Sequence, residues 1–313
     1  MRPLPIDPAG VDGPTRGQAR GPGYRRTSAG LYVPAAVDAD VVEQRILEQA
    51  ARIRTYGAVT GWASLRWQGA NFFDGTTSGG LRELPVPLVV GRYRLRPDPR
   101  CTVSEEQLAP TERVQIGGIW CTTVERAVFD EMRRTRNIPT AVVVIEMAVA
   151  AGLTKVASYA RYVVPGRNAW TGVPFVRKAL LLAIDDSRSP QETRMRLRWV
   201  LDAGLPPPLC NRTLFDLDGN LIGIPDLFDP VAGVVGEYDG ADHKDGEQHR
   251  RDVAREQRFR DHGLEYFAIV RGDLRDCRLV VTRMLNARSR ARFLPPESCS
   301  WTLTPPPLWH GRG

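Results

Sequence analysis

Val234-Val235-Gly236-Glu237-Tyr238-Asp239-Gly240 is the stretch on which the reading of this chain turns. Its β-branched and aromatic residues read as a strand, and a charge inside such a run needs a reason. Alternate residues of a strand face the same side, so Glu237 and Asp239 point together, roughly 6 to 7 Å apart along the chain. Upstream, Leu221 to Leu227 reads as another strand, with Asp226 near its end. The turn Phe228 to Gly233 makes the two strands neighbours, so Asp226 can lie beside the pair. Crowded carboxylates repel one another and are costly unless a cation neutralises them. A small number of hard oxygen ligands suits Mg²⁺ or Mn²⁺. His243, four residues after Asp239, could hold a phosphate oxygen or transfer a proton. Asp229-Pro230 reads as an ordinary turn.

Working outward, Ser189-Pro190-Gln191-Glu192 is a capping box with proline at the first helical position. It opens a helix that runs to about Ala203. Capping alone accounts for Glu192; a helix start facing the strand ends would also bring its carboxylate to the metal. Strands are expected at Leu209 to Leu214, Leu221 to Leu227 and Gly233 to Asp239. A charged helix from about Arg250 to His262, a strand at Tyr266 to Val270 and a helix at Arg275 to Arg292 complete the pattern. This order predicts an α/β sandwich around a mixed sheet over residues 187–293. Arg194, Arg198, Arg250, Arg251 and Arg255 are candidates for contacts to flanking phosphates. The plain alternative is a charged helix face, since Arg255 lies three residues from Asp252 and Glu256 is spaced i,i+4 from Arg260.

The first half follows another grammar. Residues 1–30, with Arg16, Arg20, Arg25 and Arg26 among Gly and Pro, read as a basic flexible arm. Residues 31–186 read as a mainly helical α+β domain. Its first helix spans Asp38 to Tyr56 with Asp38 as N-cap, and short β-rich runs such as Pro87 to Val90 and Val114 to Ile116 fill residues 86–121. Helices are expected at Thr60 to Trp67, Val124 to Arg134, Thr140 to Ala151, Thr154 to Val163 and Val173 to Ile184. The polar segment Asp185 to Ser189 marks the boundary. Residues 294–313 read as a loosely attached Pro-rich tail.

At 313 residues, with 42% hydrophobic and 25% charged, the chain has material for two globular domains rather than disorder. The best apolar run, Thr140 to Gly152, is too short for a membrane span and is broken by Glu146. Met1 to Gly23 lacks the apolar core of a signal peptide. Five scattered cysteines without a C-x-x-C pair argue against a zinc site or disulfide framework and for a reducing cytoplasm. The net charge of +7 suits a polyanionic partner.

The ordered blocks Ser189 to Leu197, Leu205-Pro206, Pro225-Asp226, Glu237 to Gly240 and His243 resemble the very-short-patch-repair-like endonuclease family, a branch of the PD-(D/E)XK superfamily. The resemblance implies a restriction-endonuclease-like core in which Asp226 and Glu237 bind Mg²⁺ or Mn²⁺, with Glu192 orienting the metal or its water. His243 or Asp239 would assist proton transfer or position that water. Where the superfamily usually carries lysine, two positions after the glutamate, this chain has Asp239; the adjacent Lys244 could supply the positive charge. The stretches Gly30 to Pro34, Gly57 to Gly69 and Gly118 to Asp130 resemble the antitoxin-like AbiEi family. The implied function is a metal-dependent DNA endonuclease of repair, restriction or phage defence. The alternative is a non-catalytic DNA-binding regulator paired with a toxin protein.

Overall fold

In a computed structural model, residues 1–53, 56–77, 80–163, 170–240 and 246–307 are described. The chain divides into two units, Met1–Leu181 and Leu182–Gly313, close to the expected boundary.

The segment expected to be an arm is folded into the first unit. β1 (Leu4–Pro5), β2 (Tyr24–Ser28) and β3 (Leu31–Pro34) form an antiparallel sheet in the order β1-β3-β2. The Pro and Gly residues here make turns rather than disorder. Asp7, for example, accepts backbone N–H bonds from Ala9, Val11 and Asp12 at 2.8 to 3.0 Å. Arg25, expected on a flexible arm, is instead held by both carboxylate oxygens of Glu48 (2.7 and 3.2 Å).

The unit continues through α1 (Val42–Ala50), β4 (Ala58–Val59), α2 (Gly61–Trp67), β5 (Val86–Val89), β6 (Cys101–Ser104), β7 (Arg113–Ile116) and β8 (Ile119–Thr122). Four helices follow: α3 (Val124–Thr135), α4 (Ile138–Ala150), α5 (Val156–Val163) and α6 (Val173–Leu180). The five strands from β4 onward build a mixed sheet in the order β6-β5-β4-β8-β7, more sheet than a mainly helical reading allowed. Ile46, Trp62, Val86, Leu88 and Cys121 bury its core. α1 starts at Val42, so Asp38 does not cap it; its carboxylate accepts the Asp40 N–H at 2.9 Å. Among the described residues no helix is long and apolar enough to cross a membrane.

In the second unit, α7 (Pro190–Leu197) runs on into a π-helical turn at Arg198–Asp202. β9 (Leu214–Asp216), β10 (Leu221–Gly223), β11 (Leu227–Asp229) and β12 (Val234–Asp239) come next. α8 (Gly246–Asp261), β13 (Glu265–Val270), α9 (Cys277–Arg290) and β14 (Trp301–Thr302) complete the unit. The central sheet is mixed: β12 pairs antiparallel with β11 and parallel with β13, and α8 lies in the connection between the parallel strands. One face carries Val234, Phe267 and Ile269 against Met195, Trp199, Val280 and Met284 of the helical layer. The other packs Phe228 and Val235 with Phe259 of α8 and with Leu214 and Ile222 of a smaller sheet ordered β10-β9-β14. An α/β sandwich results, each face of its strands burying a separate apolar cluster.

The expected strand Leu221 to Leu227 is two strands. Pro225 has no N–H to give to a ladder, and the chain breaks there. The expected strand from Leu209 is reduced to a single bridge, Leu209 with Phe228, before β9. Residues of the supposed tail are anchored: β14 pairs with β9, and Trp301 meets Phe228 edge-on at 4.9 Å.

Candidate metal centre

The β11–β12 ladder pairs Leu227 with Gly236 and Asp229 with Val234, so one further step sets Asp226 opposite Glu237. Asp226 lies in the interruption made by Pro225, and its Oδ2 accepts the Tyr238 backbone N–H at 2.8 Å. A side-chain carboxylate thus takes over where ladder pairing stops. Gly236 makes room in the central strand: a Cβ there would stand 2.3 Å from the Phe267 ring of β13.

Glu237 is 15% exposed. Tyr266 of β13 donates a long hydrogen bond to its Oε2 (3.4 Å), and Arg255 of α8 brings Nη2 to 2.6 Å from Oε1. That guanidinium nitrogen also donates to the Ile224 carbonyl oxygen at 2.6 Å. Glu237 Oε1 therefore feels the charge but receives no aligned hydrogen bond among the described residues.

Both acids are shifted upward. Burial pushes Asp226 up to about 6; Glu192 adds to the rise, while the Tyr238 N–H, Arg255 and Arg188 work against it. Burial pushes Glu237 up to about 7, opposed by Arg255 and assisted by Asp226 and Asp252. The pair is thus costly to ionise in the absence of a cation.

Glu192 stands in the capping turn of α7, and its charge acts on Asp226. The Ser189 hydroxyl oxygen accepts the Glu192 N–H at 3.2 Å, which caps α7. Glu192 Oε2 accepts the Arg188 N–H (2.9 Å) and the Asn211 side-chain amide (2.8 Å). Asn211 also donates its backbone N–H to the Pro225 carbonyl (3.1 Å), tying the start of α7 to the residue before Asp226.

Asp239 ends β12 half-buried, with its carbonyl accepting the Arg271 N–H at 2.9 Å. It is not among the principal charges acting on Asp226 or Glu237. His243 and Lys244 lie outside the described residues. Among the described residues no three His, Cys, Asp or Glu side chains gather into a metal-holding group; Asp226 and Glu237 face one another, with the Glu192 charge acting on Asp226.

The five candidate arginines separate. Arg255 belongs to the acidic pair. Arg194 is half-buried, and burial lowers its pKa against the opposing effect of Tyr238. Arg198 pairs with Asp202 at 2.8 Å. Arg250 and Arg251 are exposed on α8, and Arg251 pairs with Glu247 one turn back. Sequence reasoning missed Asn211 and Tyr266. Neither has a local signal, because each meets its acid only through the fold. Asp252 and Arg255, one helical turn apart, did carry a signal, and Asp252 acts on Glu237 from the same helix.

No protein-family model, curated protein or solved structure matches this chain with significance.

Proposed function

We propose that the second unit is a divalent-metal-dependent nuclease domain with a restriction-endonuclease-like core, hydrolysing phosphodiester bonds of DNA. The observation that carries this reading is the facing pair Asp226 and Glu237, both raised towards neutrality, with Glu237 Oε1 buried and lacking a directed hydrogen bond. Buried acids of this kind can exchange a proton for a cation, and metal affinity then rises with pH. Mg²⁺ is commonly held by one or two carboxylates plus water and phosphate oxygens, so two acids are a sufficient protein contribution. Held by Asp226 and Glu237, Mg²⁺ or Mn²⁺ would supply Lewis-acid polarisation of the scissile phosphate. The Tyr238 N–H fixes Asp226 in place, and Asn211 with the Arg188 N–H orients Glu192 towards it. Arg255 balances Glu237 and must yield part of that contact to a cation. Asp239 and His243 are the candidates to move a proton, and exposed Arg250 and Arg251 to meet DNA phosphates.

The test is nicking of supercoiled plasmid in Mg²⁺ or Mn²⁺ by the full chain beside Asp226→Ala and Glu237→Ala. Cleavage lost in both variants is expected. Wild-type nicking no greater than that of the variants would sink the enzyme reading.

One observation favours a second reading. Arg255 Nη2 stands 2.6 Å from Glu237 Oε1, in the space a cation would need, and Asp239 stands where the superfamily carries lysine. A non-catalytic DNA-binding regulator, acting with a toxin partner, fits an acid that is closed by its own arginine. Retained gel shift of DNA without nicking selects this reading.

A further inference from the structure

The first unit carries a cleft that the nuclease reading does not use. It encloses about 690 Å³ between the turn after β2, the end of α1 and the long connection from β5 to β6. That volume is within the range usual for ligand sites. Its frame is braced from inside. Arg52 donates to Gln49 Oε1 (3.0 Å), to Cys101 Sγ (2.8 Å) and to the Arg96 carbonyl, and Arg100 donates to the Thr27 carbonyl. Among the described residues Asp98 is the one acid in the lining, and it is spent on Arg100 (2.8 Å) and Arg52 (3.8 Å).

The mouth is left positive. Arg94 and Arg96 are exposed and have no ion pair or side-chain hydrogen bond among the described residues. Arg26, also exposed, gives only its Nε–H to the Ser28 carbonyl (3.1 Å). Tyr93, 51% exposed, lines the same cleft, and its ring meets no other ring among the described residues. Guanidiniums free to meet phosphates and an open aromatic side chain, lining one concave wall, are the two elements of single-strand recognition. A paired base keeps its faces stacked inside the duplex and cannot use such a ring. An acidic peptide would use the charges but leave the ring idle.

We propose that this cleft binds a single nucleic-acid strand, with Arg26, Arg94 and Arg96 on its phosphates and Tyr93 stacked on a base. The site is distinct from the acidic pair of the second unit and does not depend on it.

The experiment is fluorescence anisotropy of a labelled twelve-residue oligothymidylate with the full chain in EDTA, over a range of salt. The competitors are a duplex of equal length, thymidine monophosphate and a polyglutamate peptide. Arg94→Gln with Arg96→Gln is expected to weaken strand binding at least tenfold and to flatten the salt dependence by about 1 to 1.5 in log–log slope. Tyr93→Ala is expected to cost about tenfold with the slope unchanged. Arg278→Gln, an exposed arginine of α9 outside both sites, is expected to bind as the wild type does, which shows that the loss follows the cleft arginines rather than net charge. Circular dichroism confirms that each variant is folded. Unchanged affinity in the arginine variant overturns the proposal, as does competition by duplex, monophosphate or polyglutamate equal to that of unlabelled strand.

Discussion

Each unit gathers carboxylates around arginine, and the two gatherings behave in opposite ways. In the first unit Arg126 is fully buried, donating to Asp130 (3.0 Å), to Glu112 Oε2 (2.9 Å) and to the Gln107 carbonyl (2.9 Å). Its guanidinium lies 4.8 Å from the Trp170 ring centre. The acids have further partners: the Tyr162 hydroxyl donates to Glu112 (2.6 Å), Thr60 donates to Asp130 (2.6 Å), and Arg133 reaches both Glu106 and Asp130. Glu106 is consequently held below its ordinary pKa, chiefly by the Arg133 hydrogen bonds. In the second unit Asp226 and Glu237 share Arg255 and rise to about 6 and about 7. The lesson is that clustering alone does not mark a site. Acids supplied with enough donors become structural, whereas acids short of them keep a capacity for protons or cations.

The largest expected effect tests the satisfied side of this contrast. Arg126→Ala strands Glu112 and Asp130 in the interior and is expected to cost about 3–5 kcal/mol, read from urea denaturation. A loss below about 1 kcal/mol would mean that the network is not bound together as described.

Asp226→Asn and Glu237→Gln test the other side. A carboxyl with a folded pKa above its unfolded value contributes its full stability below about pH 4. That contribution is lost as pH rises through about 6 for Asp226 and about 7 for Glu237. Each variant is therefore expected to be more stable than the metal-free wild type at pH 8, by about 1–3 kcal/mol, and not at pH 4. Thermal melts at the two pH values, with and without Mn²⁺, check this. Mn²⁺ should stabilise the wild type at pH 8, much less at pH 5.5, and neither variant. Glu106 has the opposite sign: its contribution is present above the ordinary carboxylate range and fades as acid is added.

Gly236→Ala probes the strand beneath the acids. Its methyl group meets the Phe267 ring, and a loss of about 1–3 kcal/mol is expected from overpacking. A neutral result in the melt would show that the ring yields freely. The smallest effect belongs to Glu192→Gln, which keeps the capping oxygen but removes a charge that raises Asp226. It should lower the Asp226 pKa slightly, seen by carboxyl-resolved NMR titration, with a stability change under about 1 kcal/mol. An upward shift would exclude Glu192 as a neighbour of Asp226.

Much of the second unit was legible in its sequence because its signals are local. The β-rich run around Glu237, the capping box at Ser189 and the helical spacing of α8 each lie within one element. Where the reading went astray, the deciding contact spans elements. The 1–30 segment folds because β1 and β2 both pair with β3, and a Pro/Gly-rich composition does not reveal such pairing. Trp301 and Thr302 of the supposed tail are held by the reach of β14 back to β9. The Leu221 to Leu227 run is the exception, split locally by Pro225, which the sequence itself carries. Arg255 is a phosphate candidate by its charge, yet its partner is Glu237, on the preceding element.

The sequence by itself determined that Glu237 would stand in an apolar strand and that a capped helix would open at Ser189, because alternation and capping are short-range rules. Only the tertiary structure decided how those charges are balanced. The step of register that sets Asp226 across from Glu237, the carbonyl of Ile224 that draws Arg255 in, and the amide of Asn211 on Glu192 all join residues distant in sequence. Charge balance in a buried site depends on which donors arrive, and their arrival is a property of packing.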